Sequence, residues 1–183
     1  MNFRPTPLHG LMLVKTTPVA DERGKFERLF CEREWGSLRP SLHWSQVNLS
    51  HTNKVGTIRG MHFQYPPQAE AKLIRCLRGR VFDVAVDLRA GSPTFLHWHG
   101  VQLEEGEPTQ VFIPEGFAHG FQTLTDDAQL LYFHTFPWSL EHEGRVRYDD
   151  PATAIEWPLP VTQISQKDRA VQFLDPGFAG LSV

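Results

Sequence analysis

A histidine and a lysine ten positions apart lie in the segment Ile58–Gly79, IRGMHFQYPPQAEAKLIRCLRG. An imidazole such as that of His62 exchanges a proton near neutral pH, and an ammonium such as that of Lys72 stabilises a developing negative charge. The apolar residues that flank them are typical of buried strands, where each unpaired polar group costs about 1–3 kcal/mol. The segment therefore holds either a functional site or a salt bridge at the rim of a sheet.

Short strands separated by turns must position these residues. The run RVFDVAVDLRAGSPTF alternates in polarity, so its side chains divide between two faces of a strand. One face would carry Phe82, Val84, Val86 and Leu88, and the other Asp83, Ala85 and Asp87. Turn signals recur about every ten residues in the runs that follow, which is typical of an all-β sandwich or closed barrel.

The fold that this pattern predicts is a single all-β domain of jelly-roll type over residues 1–183. Helical patterns occur only in residues 26–38, FERLFCEREWGSL, and in residues 165–174, SQKDRAVQFL. We see no internal repeat, low-complexity tract or linker that would divide the chain.

A hairpin with a two-residue turn at Arg78–Gly79 would join the strands KLIRCL and RVFDVAVDL. In that register Lys72 and Asp83 would be diagonal neighbours on one face of the sheet. A carboxylate at that position would favour the charged lysine and hold its head group in place. The sequence therefore predicts Asp83 as the partner of Lys72.

Composition limits the classes of function. The formal net charge of the 183 residues is −3, so no basic field favours nucleic acid or an anionic membrane. The two cysteines, Cys31 and Cys76, form neither a disulfide framework nor a metal-binding spacing, which fits a reducing compartment. No apolar run approaches the roughly 20 residues that span a bilayer, and the N-terminus lacks a signal-peptide core. We expect a cytoplasmic protein without nucleic-acid or membrane partners.

Six motifs occur in an order that resembles one enzyme family. They are RGMHFQ, AKLIRCLRGRVFDVAVDLRAGSPTF, IPEGFAHGF, LLYFHT, RYDDP and SQKD. From about residue 19 to about residue 168 the chain resembles the dTDP-4-dehydrorhamnose 3,5-epimerases of the cupin superfamily. The resemblance implies a cupin-type jelly-roll β-barrel with a few short peripheral helices. It also implies a homodimer that exchanges N-terminal strands.

The activity implied by the resemblance is epimerisation at carbon 3, carbon 5 or both of a dTDP-linked 4-keto-6-deoxyhexose. Both carbons flank the ketone, which acidifies their C–H bonds, so the reaction is expected to need no cofactor. Each inversion requires a base, stabilisation of the enolate oxygen at carbon 4, and an acid on the opposite face. Proton transfer by a positioned side chain contributes about 10²–10⁴-fold to the rate.

Four residues match the catalytic positions of the family. His62 in RGMHFQ matches the base, and Asp168 in SQKD matches the carboxylate that orients it. Lys72 matches the lysine directed at the enolate, and Tyr132 in LLYFHT matches the acid on the other face of the sugar. A lone strand tyrosine is usually a core or rim residue, so the assignment depends on all four occurring together.

Eight further residues match substrate-binding positions of the family. They are Arg23, Arg59, Gln46, Asn48, His119, Trp138, Glu143 and Lys167. The planar fork of an arginine suits a pyrophosphate, and an indole at position 138 can stack on a base where the family usually has a tyrosine.

The chain also departs from the family pattern at positions near the matched residues. Arg28 stands where a glutamate is usual, although Glu27 is adjacent, and Phe133 replaces the lysine that often follows the tyrosine. Pro137 precedes Trp138 where a tyrosine is common.

Three alternatives remain. The first is a metal-dependent cupin, whose first motif would need a ligand histidine where this chain has Gln64, with Glu70 as a substitute glutamate. The pair His97–His99 has ligand spacing but follows a loop, so we predict no metal site. The second is a sugar-nucleotide-binding cupin without catalysis, which would be expected to lose the base or the acid. The third is an epimerase that acts on one carbon in another deoxysugar pathway.

Overall fold

The computed structural model describes residues 1–36 and 38–183, which form short strands and two single-turn helices. The first strands are β1 (Asn2–Pro5), β2 (Met12–Lys15), β3 (Val19–Asp21), β4 (Gly24–Phe26), β5 (Gln46–Thr52), β6 (Thr57–Gln64) and β7 (Lys72–Arg78). They are followed by β8 (Arg80–Asp87), β9 (Trp98–Glu104), β10 (Thr109–Ile113), β11 (Phe117–Thr123), β12 (Ala128–His134), β13 (Glu143–Arg145) and β14 (Gln163–Ile164). The helices are α1 (Glu32–Trp35) and α2 (Gln166–Arg169).

Two large sheets build the molecule. The first sheet has the strand order β1-β2-β10-β7-β12-β5, and the second has the order β13-β6-β11-β8-β9, with β14 added in parallel to β6. The other pairings within both sheets are antiparallel, and β3 and β4 form a separate hairpin. This architecture confirms the predicted all-β jelly roll.

The apolar core lies between the two sheets. Ile74, Val111 and Leu130 from the first sheet pack in one cluster with Ala85 and Phe121 from the second. Burial of a large aliphatic or aromatic side chain contributes about 1.5–3 kcal/mol to folding stability. This cluster therefore stabilises the face-to-face packing of the two sheets.

Further apolar clusters cover the outer faces of both sheets. Val84, Val86 and Leu88 of the second sheet pack against residues from the C-terminal part of the chain, such as Leu181. The predicted alternation along β8 is thus confirmed, but both faces are buried. On the first sheet, Trp35 of α1 packs with Leu73 and Phe112 on the outer face.

The predicted hairpin of Lys72–Leu77 with Arg80–Leu88 is wrong. Strand β7 pairs with β10 and β12, whereas β8 pairs with β9 and β11, so the two strands belong to different sheets. Gly79, with a φ of +70°, lies at the corner where the chain passes from one sheet to the other. Both strands are largely buried on both faces, and their sequence pattern does not distinguish a hairpin from a corner between sheets.

The helical segments are shorter than the sequence patterns predict. Only one turn forms in each, at α1 within residues 26–38 and at α2 within residues 165–174. Position 37 of the first segment lies outside the described residues. Within the part of the chain that the structure describes, neither helix is long and apolar enough to cross a membrane.

Candidate active site

A cavity of about 830 Å³ opens between the two sheets beside the apolar core, with which it shares Phe121. Strands β5, β7 and β12 contribute one wall, strands β6, β11 and β13 contribute the other, and α2 borders the site. A volume of this size is in the range of pockets that hold small-molecule ligands.

Cross-strand registers place polar side chains in rows on the first wall. His134 lies between Gln46 and Lys72, and Tyr132 lies between Asn48 and Ile74. Since alternate residues of a strand share a face, both rows point into the same interior. The pattern brings four of the predicted site residues together on one wall: Gln46, Asn48, Tyr132 and Lys72.

A second row crosses the opposite wall. His62 on β6 lies between Arg145 on β13 and His119 on β11. The approach of β6 to β11 requires glycine, because a Cβ at Gly60 would lie 2.4 Å from the Cα of Gly120. The register between the strands shifts just beyond His119, next to this close approach.

His62 and Asp168 form a hydrogen-bonded pair, as the sequence predicts. The imidazole Nε2 donates to Oδ1 of Asp168 over 2.7 Å, and this bond assigns the lone pair to Nδ1. Ser165 caps α2 by accepting a bond from the Asp168 amide, which fixes the carboxylate at the start of the helix. The imidazole is 36% exposed and therefore open to the cavity, whereas the carboxylate is 6% exposed.

The Asp168 carboxylate remains ionised at neutral pH. Burial raises its pKa, but the hydrogen bond and charge of His62, the bond with Ser165 and the charge of Arg145 together hold the pKa below its ordinary value. An ionised carboxylate at this distance stabilises an imidazolium, so the pair can accept a proton through Nδ1 of His62.

Lys72 is a neighbour of His62 but not of Asp83, which corrects the predicted pairing. Its ammonium forms an ion pair with Glu70 over 3.0 Å and donates to the His62 carbonyl oxygen over 3.1 Å. Because β7 and β8 lie in different sheets, Asp83 has another partner. Asp83 accepts a bond of 2.9 Å from Nε2 of His119, and both side chains are buried.

Tyr132 projects from the wall opposite His62. Its hydroxyl bonds with Oγ of Ser50 over 3.1 Å, and the edge of its ring meets the His119 ring at 6.1 Å between centroids. Burial raises the pKa of the phenol above its ordinary value, an effect that the Ser50 bond and the charge of Arg59 do not offset. The phenol is therefore protonated at neutral pH and able to donate.

The mouth of the cavity is shaped by Trp138 and the residues that bind it. The Trp138 amide donates to Oε1 of Gln46 over 3.0 Å, and its indole Nε1 donates to Glu143 over 3.4 Å. The Gln64 amide also holds this loop, since it donates to the Pro137 carbonyl and accepts from the Ser139 amide. The indole ring itself is largely exposed beside the opening.

Positions considered for a metal have other contacts. Gln64 is engaged with the backbone of the mouth loop, and Glu70 is engaged with Lys72. His97 and His99 do not line the cavity, and burial lowers the pKa of His99. Within residues 1–36 and 38–183, no group of three or more His, Cys, Asp or Glu side chains has the geometry of a metal site.

The remaining predicted binding residues lie in two different parts of the structure. Arg59 lines the cavity and donates to Thr52 over 2.9 Å, and Lys167 lies exposed at the rim on α2. Arg23 lies elsewhere: on the β3–β4 hairpin, its side chain is 83% exposed and bonds to Asp21 over 2.5 Å. The structure of one chain thus brings together every predicted site residue except Arg23.

The sequence prediction lacks three titratable residues of the cavity. It includes Glu70 only as a metal ligand and does not include His134 or Arg145. Alternation from Tyr132 would have placed His134 on the same face. Burial, followed by the charges of Lys72 and His119, lowers the pKa of His134 to about 3, so this imidazole is neutral.

The departures from the family pattern lie outside the cavity, apart from Trp138. Phe133 packs on the outer face of the first sheet, 5.9 Å from the Trp44 ring. Arg28 forms an exposed ion pair with Glu34, and Glu27 binds Arg75 over 3.0 Å. These replacements therefore leave the four predicted catalytic positions unchanged.

The chain is similar to known proteins over most of its length. A family model described as dTDP-4-dehydrorhamnose 3,5-epimerase matches residues 5–175. The dTDP-4-dehydrorhamnose 3,5-epimerase of Sinorhizobium fredii is 40% identical over 169 residues, covering 92% of this chain and 87% of that protein. The dTDP-4-dehydrorhamnose 3-epimerase of Streptomyces niveus is 36% identical over 170 residues, covering 92% of this chain and 82% of that protein.

A solved structure is also similar over nearly the whole chain. The dTDP-6-deoxy-D-glucose-3,5-epimerase of Legionella pneumophila, in complex with dTDP-4-keto-L-rhamnose, superposes with a TM-score of 0.88 at 39% identity. The match covers 94% of this chain and 92% of that structure. Its fold agrees with the two-sheet architecture described above.

Proposed function

Because this chain belongs to the dTDP-4-dehydrorhamnose 3,5-epimerase family and is an isomerase, we propose that it inverts both carbon 3 and carbon 5 of a dTDP-linked 4-keto-6-deoxyhexose. The observation that carries the proposal is the placement of His62 and Tyr132 on opposite walls of one cavity. Inversion needs a base on one face of the sugar and an acid on the other, and this arrangement supplies both.

His62 is the base of the proposed reaction. Its Nδ1 takes the proton from the carbon next to the ketone, and the electron pair of the C–H bond becomes the enolate. Asp168 then stabilises the imidazolium through the bond at Nε2.

Lys72 stabilises the enolate in this proposal. The charge that develops at the carbon 4 oxygen needs a fixed donor, and the ammonium of Lys72 is held in the cavity wall by Glu70 and the His62 carbonyl oxygen. A donor that is already positioned does not reorganise during the reaction, which is why such contacts are often the largest catalytic term.

Tyr132 returns a proton to the face opposite His62. Its phenol is protonated at neutral pH, and Ser50 fixes its hydroxyl. Proton donation from the other face inverts the carbon, whereas return from His62 restores the original configuration.

The nucleotide diphosphate is expected near the cationic rim of the cavity. Arg59 and Lys167 supply positive charge there, and the exposed Trp138 ring offers a flat surface for a base. The Legionella relative was solved with a dTDP-linked keto sugar, which supports a substrate of this class.

We further propose that the protein is a homodimer in which Arg23 of one copy completes the cavity of the other. The β3–β4 hairpin that carries Arg23 is exposed throughout, and it includes Val19 and Phe26 at 67% and 75% exposure. Apolar side chains this exposed suit an interface.

Both cysteines are free, which supports a cytoplasmic location.

Co-expression tests the shared cavity. His62→Asn and Arg23→Ala chains are each expected to be weakly active. Mixed dimers would contain one intact site, so a co-expressed sample should recover about a quarter of wild-type activity if subunits pair at random. An absence of recovery in a sample shown to contain mixed dimers would place Arg23 in its own chain's site or in none.

The activity itself is tested by the configuration of the product. Purified protein is incubated with dTDP-4-keto-6-deoxyglucose, and carbons 3 and 5 are examined by NMR. The proposal predicts inversion at both carbons. Inversion at carbon 3 alone would favour the second candidate, a 3-epimerase like the Streptomyces niveus relative, and no inversion would refute the substrate assignment.

A further inference from the structure

Arg145 binds the same carboxylate oxygen as the proposed base. Its Nη1 donates to Oδ1 of Asp168 over 3.0 Å, and His62 donates to that oxygen over 2.7 Å. Arg145 also lies directly across from His62 in the β6–β13 register. A second ion pair of 2.8 Å to Glu143 holds the other end of the guanidinium.

These bonds leave the guanidinium close to the imidazole and only slightly exposed to solvent. Two donors on one oxygen lie within about 6 Å of each other, a distance at which like charges interact measurably inside a protein. The fixed charge of Arg145 therefore opposes a second positive charge on His62. It also takes a share of the negative charge with which Asp168 would stabilise the imidazolium.

Other titratable groups on the elements around His62 line the same cavity. From the second sheet and α2 they are Arg59, His119, Glu143, Lys167 and Asp168. From the first sheet and the segment before it they are Glu70, Lys72, Tyr132 and His134. Lys72 is paired with Glu70, and burial keeps His134 neutral. Among the described residues, only Arg145 and His62 donate side-chain bonds to the same Asp168 oxygen.

We propose that Arg145 is a positioning residue that clamps Asp168 and limits the proton affinity of His62. The inference rests on the proposed role of His62 as the base. A base that must release its proton in each cycle is slowed if the carboxylate holds the imidazolium too firmly. Arg145 keeps Asp168 oriented and ionised, and it reduces the stabilisation that Asp168 gives to the His62 imidazolium.

The test compares proton uptake by His62 in the wild-type protein and four variants, all without substrate. The variants are Arg145→Met, Arg145→Gln and Arg145→Lys, with Arg147→Met as a matched control. Arg147 lies two residues further along and pairs with Asp149 at 2.6 Å, outside the cavity. The His62 ring signal is assigned by its absence in His62→Asn and followed by NMR between pH 4 and 9.

Removal of the charge at position 145 should raise the pH at which His62 becomes half-protonated by about 0.5–1 unit. Arg145→Gln tests this even if Arg145→Met folds poorly, because glutamine retains hydrogen-bonding groups without the charge. Arg145→Lys keeps the charge and should stay within about 0.3 unit of wild type, as should Arg147→Met. The acid limb of the pH–rate profile should move with the midpoint.

Three results would overturn the inference. The midpoint could remain at the wild-type value in both neutral variants, it could fall, or Arg147→Met could shift it equally. The first two would make Arg145 a structural residue, and the third would indicate a general charge effect. Because the titration needs no turnover, it stands apart from the outcome of the substrate assignment.

Discussion

Two histidine–aspartate pairs lie side by side on one wall of the cavity and differ in what surrounds them. In the pair His62–Asp168, the imidazole is open to the cavity and the carboxylate comes from α2, more than a hundred residues away in sequence. In the pair His119–Asp83, both residues come from adjacent strands and both are buried.

The carboxylates of the two pairs also differ in their other contacts. Oδ1 of Asp168 is shared between His62 and Arg145, whereas Oδ1 of Asp83 has no hydrogen-bond partner among the described residues. The imidazole of His62 is accessible, and its counter-ion Asp168 is shared with Arg145, so this imidazole can transfer protons. The imidazole of His119 is buried and bound to a residue of the neighbouring strand, so it is suited to hold the substrate. Solvent access and the source of the carboxylate, rather than the His–Asp bond, therefore separate the two proposed roles.

The largest effect is expected when the pair His62–Asp168 is broken. His62→Asn should lower solvent exchange of the substrate protons at carbons 3 and 5 by about 10²–10⁴-fold, because a general base is lost. His119→Asn is the matched variant on the second pair and should lower exchange by only about tenfold, through weaker binding of the sugar. Deuterium uptake measured by NMR checks both, and equal losses would contradict the division of roles.

The next effect concerns Lys72, the cation beside the first pair. Lys72→Met should lower kcat by about 10²–10³-fold with KM changed by less than about threefold, because the charge it stabilises develops only on the way to the enolate. Glu70 would then be left unpaired in a buried position, so the double variant Lys72→Met/Glu70→Gln serves as the control for folding. A rise in KM with kcat preserved would make Lys72 a phosphate contact.

Tyr132 tests whether the wall opposite the first pair supplies the second proton. Tyr132→Phe should still exchange deuterium into the substrate, since His62 remains, but inversion at carbon 5 should fall by about 10²-fold. Inversion at carbon 3 should fall less if water reaches that carbon. Tyr65→Phe, on an exposed ring outside the cavity, is the control. Wild-type inversion at carbon 5 in Tyr132→Phe would assign the acid to another residue.

The smallest effect concerns Asp87, a buried carboxylate that serves structure alone. Burial raises its pKa, but bonds from Arg89, Ser92 and Thr94 lower it to about 2 overall. Because the folded-state pKa is depressed, Asp87 stabilises the fold above about pH 4, and that stabilisation is lost as the pH falls towards 2. Urea unfolding at pH 7 and pH 3 should show a weaker pH dependence in Asp87→Asn than in wild type. An unchanged dependence would show that Asp87 contributes nothing to acid sensitivity.

Much of the fold followed from the sequence because alternation is a local property. Phe82, Val84 and Val86 do share one face of β8, and Leu88, just beyond the strand, packs in the same cluster. The motif residues His62 and Tyr132 do line one cavity. Local pattern says nothing, however, about which strands pair. The Gly79 connection was interpreted as a hairpin turn, and the error assigned Lys72 to the wrong carboxylate.

Parts of the site depended on long-range assembly and could not be predicted from local pattern. The contact of Asp168 with His62 was expected only from the resemblance to a family, since nothing in the spacing joins residues 106 positions apart. Arg145 reaches Asp168 because β13 pairs with β6. The three residues of β13 are too few for a sequence pattern that would predict this pairing. Arg23 is a predicted site residue by resemblance alone, and in a single chain it lies on an exposed hairpin away from the cavity.

Turnover of dTDP-4-keto-6-deoxyglucose by the wild-type protein in D₂O directly tests whether protons are removed by His62 and returned from the opposite wall. If His62 removes each proton and a group on the opposite wall returns one, the inverted product must carry solvent deuterium at carbon 3 and carbon 5. NMR of the product reports label and configuration together. The account predicts deuterium at each inverted carbon, and inversion with the original hydrogen fully retained at either carbon would contradict it.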